Sequence, residues 1–128
     1  MSDKPAAGTV TWFDLTVEDA PRIRDFYSKV IGWKPEPVKM GKYEDYTMTV
    51  PSTGAPTTGV CHARGGNADL PAQWLIYVNV DNLDLSMAAC RGGGGQVISG
   101  PKEMAGMGRY CVIQDPAGAV LALFEPAG

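Results

Sequence analysis

Few side chains in this sequence have the chemistry to act on a substrate, and their spacing limits what they do. His62 is the only histidine. A general base needs a substrate and an orienting group, and the sequence names neither for His62, so it reads as a polar residue near a strand end. Asp14 stands out more, as a carboxylate set in an apolar run beside Trp12. Such a group costs free energy unless it is bonded or hydrated. It would orient a ligand hydroxyl or amine, or act as a base, or else accept bonds from Arg109, a nearby tyrosine or the backbone. Cys61, Cys90 and Cys111 form no CxxC pair. That excludes a zinc ribbon or a thioredoxin-type centre, and the three read as small buried hydrophobes in a reducing compartment. The glycine run Gly92-Gly93-Gly94-Gly95 ends a helical pattern instead of opening one, so it is no phosphate cradle.

These residues are positioned by an internal repeat. A shift of 63 positions lays Trp12–Asp19 over Leu75–Asn82. Both are strand-like runs ending in valine and then in acidic or amide residues that suit a helix N-cap. A helix follows in each half. Ile23, Phe26, Tyr27 and Val30 form the apolar stripe of the first, which Gly32 ends, and Leu83, Met87 and Cys90 form that of the second. Strands are expected over 43–50 and 58–63, and over 96–99, 109–114 and 119–125. Asp115-Pro116-Ala117-Gly118 makes the last turn. The glycine run after the second helix invites mobility. The pattern is βαβββ twice, over 8–64 and 72–126 of a single 128-residue domain, an α+β fold with helices on one face of mainly antiparallel sheets.

Strand alternation then sorts the side chains. Phe13, Leu15 and Val17, with Ile76, Val78 and Val80, should pack under the helices. Trp12, Asp14, Leu75, Tyr77, Ala122 and Phe124 should face the other way and line a mixed aromatic, aliphatic and polar cleft of the kind that holds small molecules. Met48 suits an adaptable wall of that cleft, with His62 at its margin. Met104–Gly108 reads equally as an apolar lid or as a loop packed on the core.

The segments Trp12-Phe13-Asp14-Leu15, Phe26-Tyr27-Ser28-Lys29-Val30-Ile31-Gly32-Trp33 and Gly108–Ala119, with its Asp-Pro-x-Gly-Ala turn, resemble the vicinal-oxygen-chelate superfamily of glyoxalase I, extradiol dioxygenases and bleomycin-resistance proteins. The resemblance covers about residues 8–126. It implies two βαβββ modules paired around a cleft, within one chain or between two, and hence a homodimer. It also implies four metal-ligand positions, one on the first and one on the last strand of each module. These fall on Trp12, Leu75, Ala122 and a place near Cys61 or His62. Tryptophan, leucine and alanine do not ligate divalent ions, so no metal and no other cofactor is expected.

Hydrophobic residues make up 45% of the chain and charged residues 20%, the balance of a soluble protein, and the formal charge is −3 with no basic stripe. Nucleic acid is therefore not expected as a partner, and no apolar run suits a membrane span. The first residues lack the apolar core of a signal peptide, so a cytoplasmic protein is expected. Three functions stay open: a metal-independent protein that binds or sequesters a small organic ligand; a glyoxalase-like lyase or isomerase using Asp14, or a displaced metal; and a structural dimer module without a ligand.

Overall fold

The structure, a computed structural model, describes residues 5–128. Its element order is β1 (Val10–Val17), α1 (Ala20–Val30), β2 (Lys34–Lys39), β3 (Glu44–Thr49), β4 (Pro56–His62), β5 (Trp74–Asn79), α2 (Leu83–Gly92), β6 (Gln96–Met104), β7 (Gly108–Gln114) and β8 (Val120–Pro126), with a 3₁₀ turn at Gly65–Asn67. This is the α+β, twice-repeated βαβββ arrangement that the alternation predicts. The contacts divide the chain into two compact units: residues 13–74, and residues 75–128 with the described residues up to Trp12. The division falls inside β1.

In the first unit the strands run in the order β2-β3-β4-β1, with β1 parallel to β4 and the other pairs antiparallel. Asp19 caps α1 by accepting the Arg22 N–H at 3.2 Å, and Gly32, at φ +90°, follows its C-terminal end. Ala20, Tyr46, Met48 and Val60 form the core, with Val17, Ile23, Tyr27, Trp33 and Trp74 packed around it. The helix stripe is narrower than its spacing predicts. Phe26 and Val30 are exposed, as is Phe13 on β1, because α1 turns only Ala20, Ile23 and Tyr27 toward the sheet.

Strand β2 was not legible from the residues, because Pro35 and Pro37 argue against a strand. It forms at the sheet edge, where only one side must supply a ladder and a missing proline N–H goes unused on the other. Thr49 Oγ1 reinforces the pairing by donating to the Lys34 carbonyl at 2.8 Å.

In the second unit the order is β5-β8-β7-β6, with β5 parallel to β8 and the rest antiparallel. Leu83, Met87, Cys111 and Leu123 make its core under α2, supported by Val78, Val80, Val97, Ile113 and Leu121. Asn79 is buried on the opposite face. It accepts from Thr11 Oγ1 at 3.4 Å and donates to the Pro5 carbonyl at 3.2 Å.

Glu125 holds the start of α2 by accepting the Leu83 N–H at 2.8 Å, and Arg109 bridges Glu125 and Asp84. Arg109 is thus a structural clamp on the helix side. The glycine run forms a bonded cap, with Gly93 N–H on the Ala89 carbonyl and Gly95 N–H on that of Cys90, both at 2.9 Å. A Cβ at Gly95 would lie 2.8 Å from both Cys90 Sγ and the Gln114 carbonyl, so close packing requires glycine there. Strand β6 runs to Met104, past register shifts between Val97 and Lys102, and Met104–Gly108 closes a tight hairpin in which Met107 N–H donates to the Met104 carbonyl at 2.8 Å. Asp115 Oδ1 accepts from Ala117 and Ala119, completing the turn read from Asp-Pro-x-Gly. Among the described residues no helix is long and apolar enough to cross a membrane.

Candidate functional site

The two faces away from the helices carry most of the side chains expected at a site. In the first unit Asp14 and Thr16 on β1 pair with Gly59 and Cys61 on β4, and directly paired residues share a face. Asp14 is half-buried and Thr16 buried. The Cys61 thiol is hydrogen-bonded to Asp45, and the negative charge of Asp14 lies close enough to act on it. Burial first, then the Asp14 and Asp45 charges, pushes this thiol far above its usual range. Cys111 is pushed up to about 11, chiefly by burial. Neither is a nucleophile near neutral pH. A thiol-reactive dye at pH 8 should therefore label both slowly in the folded protein and all three cysteines rapidly in denaturant. Rapid native labelling of Cys61 would contradict this placement.

His62 has the orienting group that its sequence neighbours do not reveal. Asp45 Oδ1 lies 3.2 Å from His62 Nδ1 and also accepts the His62 backbone N–H at 2.9 Å. Tyr43 and Tyr46 pack against the ring, with centroids at 5.3 and 6.3 Å. Arg24 lies over Tyr46 and Arg64 over Tyr43. Register places His62 opposite Val17, which packs on the helix-side core. Met48 departs from its expected place in a cleft wall. It is 0% exposed in the core under α1, because its strand parity matches Tyr46 and not Asp45 or Thr47.

In the second unit, paired residues make a continuous surface on the face away from α2. Lys102, Tyr110, Phe124 and Asn79 form one cross-strand row, and Val112, Ala122 and Tyr77 the next. Leu75 and Ala122 are 1% and 0% exposed, so they are floor and not contact surface. Tyr77, Tyr110 and Phe124 are half-buried above it. The Tyr77 and Tyr110 rings lie 6.0 Å apart at 42°. Trp12, expected among these aromatics, is half-buried and belongs to the same unit. Tyr110 was not singled out as a site residue, although alternation along Arg109–Gln114 would have placed it opposite Arg109 and Cys111. Among the described residues no three His, Cys, Asp or Glu side chains are grouped so as to hold a metal ion.

Two βαβββ units, each with helices on one face and polar or aromatic side chains on the other, define the class of small α+β proteins built by this repeat. The chain belongs to the Glyoxalase/Bleomycin resistance protein/Dioxygenase superfamily, whose family model matches residues 9–123. It is 32% identical over 132 aligned positions to the anthracycline biosynthesis protein DnrV of Streptomyces peucetius, covering 94% of this chain and 48% of that one. It is 29% identical over 120 to the putative glyoxylase CFP32 of Mycobacterium bovis, covering 94% and 45%. The chain thus spans about half the length of the curated relatives it matches. Among solved structures it is similar to methylmalonyl-CoA epimerase from Mycobacterium tuberculosis, at TM-score 0.57 and 17% identity over 98% of this chain and 95% of that one. The Streptomyces coelicolor epimerase in complex with 2-nitronate-propionyl-CoA gives TM-score 0.58 and 14% identity over 96% and 100%. At these identities the likeness is one of fold.

Proposed function

We propose that this chain binds a small, largely aromatic organic ligand without a resident metal. The observation that carries this reading is the half-buried Tyr77–Tyr110 pair with Phe124, standing on a closed apolar floor. Rings placed this way offer wide, stiff contact area to a planar molecule. Similarity to a protein of anthracycline biosynthesis supports a polycyclic aromatic as the ligand class.

The family's metal does not fit the residues present. Leucine and alanine occupy two of the carried-over ligand positions, buried and without donors, and tryptophan a third. The fourth falls near a thiol held protonated and a histidine whose Nδ1 faces Asp45. The chain acts as a homodimer in this reading, supported by relatives of about twice its length. Three unpaired cysteines support a reducing, cytoplasmic setting.

Tyr110→Ala should weaken binding of a planar aromatic probe by roughly tenfold, as loss of one stacked ring does. Calorimetric titration checks this, with metal content measured on the same sample. Stoichiometric zinc, nickel, manganese or iron, or unchanged affinity in the variant, would refute the reading.

The second reading is a lyase or isomerase with Asp14 as base. The half-buried placement of Asp14 beside Thr16 and Cys61 favours it. Asp14→Asn should then abolish turnover of a substrate while leaving the unfolding free energy within about 1 kcal/mol of the parent. A variant that fails to fold would make the carboxylate structural.

A further inference from the structure

On the opposite side of the first unit, between α1 and β1, lies a hollow of about 300 Å³. Val17, Ile23, Phe26, Tyr27, Ala72 and Trp74 are among its walls, and no charged side chain lines it. We infer that this hollow is a second binding site, for a neutral aromatic or alicyclic molecule carrying one carbonyl or ether oxygen. The site is independent of the ligand face proposed above and uses none of its residues.

The argument starts from the aromatic group. Tyr27 packs edge-on against Trp74, with centroids 5.4 Å apart at 71°, and Trp74 is likewise edge-on to Trp33 at 6.1 Å and 77°. Edge-to-face contacts favour this arrangement of the rings. The Trp74 indole N–H donates to the Tyr27 hydroxyl at 3.3 Å. A hydroxyl that accepts one bond still has its own proton to give. The indole thus orients the phenol, whose O–H is a donor in a hollow walled mainly by carbon, with Gln73 the further polar side chain in its lining. That pattern selects an acceptor oxygen on an apolar body. It disfavours an anion or cation, which would lose hydration and find no countercharge. The volume lies at the lower end for ligand pockets, which suits one or two fused rings. Phe26 at the mouth is exposed, although apolar spacing alone would have put it in the core.

The test uses 2-acetylnaphthalene, its hydrocarbon counterpart 2-ethylnaphthalene and the anion 2-naphthoate, with the Trp74 indole proton followed by NMR and assigned with Trp74→Phe. The ketone should shift that signal saturably and bind more tightly than either comparison. Tyr27→Phe should weaken the ketone by roughly threefold to tenfold, the worth of one hydrogen bond, and leave the hydrocarbon unchanged. Ala72→Trp, at an exposed position, should fill the hollow and abolish binding of both while the circular dichroism spectrum stays the same. Tyr110→Ala should have no effect here, so loss of the sheet-face ligand would leave this inference standing. Equal binding of ketone and hydrocarbon, or no response to Ala72→Trp, overturns it. So does finding that the ketone merely competes with self-association that Phe26→Asp also breaks, because the occupant would then be a second copy of the chain.

Discussion

Met48→Ala is expected to lower stability by about 2–5 kcal/mol, the range for truncating a large buried side chain to alanine. Met48 is 0% exposed and packs with Ala20, Tyr46 and Val60 beneath α1. Truncation loses the transfer free energy of the thioether chain and leaves a void that a strand between two paired neighbours closes poorly. Urea unfolding followed by tryptophan fluorescence should show a lower midpoint with an unchanged slope. The same variant separates two placements of this residue. A core methionine affects ligand binding only through the folded fraction, so affinity measured well below the transition should match the parent. A weakened ligand with unchanged stability would put Met48 back in a binding wall.

Gly108→Ala should be at least as damaging, costing about 3 kcal/mol or more. Gly108 sits at φ +144°, where an L side chain is strained, and a Cβ there would run into the Glu125 carbonyl oxygen and crowd Ala127 N at 2.9 Å. These obstacles are backbone of the paired strand and cannot swing aside. The β7–β8 ladder must part, and with it the Arg109–Glu125 clamp on the start of α2. Thermal unfolding should show the midpoint falling by roughly 10 °C. Gly106→Ala, two residues away in the same hairpin, is the control. It has φ +75° but open space around the added methyl, so it bears only the conformational cost of about 1 kcal/mol. Equal effects at the two glycines would show that close approach is not what demands Gly108.

Most of the fold could be read from local rules, because each rests on short-range sterics. Asp19 and Asn82 cap their helices as acidic and amide residues after a strand should, and the Asp-Pro-x-Gly turn closes as its residue types require. Alternation placed Leu75, Tyr77, Ala122 and Phe124 on the face away from α2. It did not say that Leu75 and Ala122 would be sealed from solvent while Tyr77 and Phe124 stayed reachable. For Ala122 that depends on the longer side chains paired with it in the neighbouring strands, Val112 and Tyr77. Strand β2 and the exposure of Phe26 were missed for related reasons. A proline reads as a breaker until the strand is known to be an edge, and a helical stripe does not reveal how much of it the sheet can cover.

From its residues alone this chain declared a twice-built βαβββ framework with its capped helices and turns. These follow from dihedral preferences, periodicity and side-chain chemistry, which act over a few residues. Tertiary structure alone brought Asp45 to His62, Tyr110 to Tyr77 and Trp74 to Tyr27, pairs separated in sequence by 17, 33 and 47 positions. Such meetings depend on strand order and register, which no local pattern encodes, and the aromatic site and the second hollow proposed for this protein are built on the last two of them.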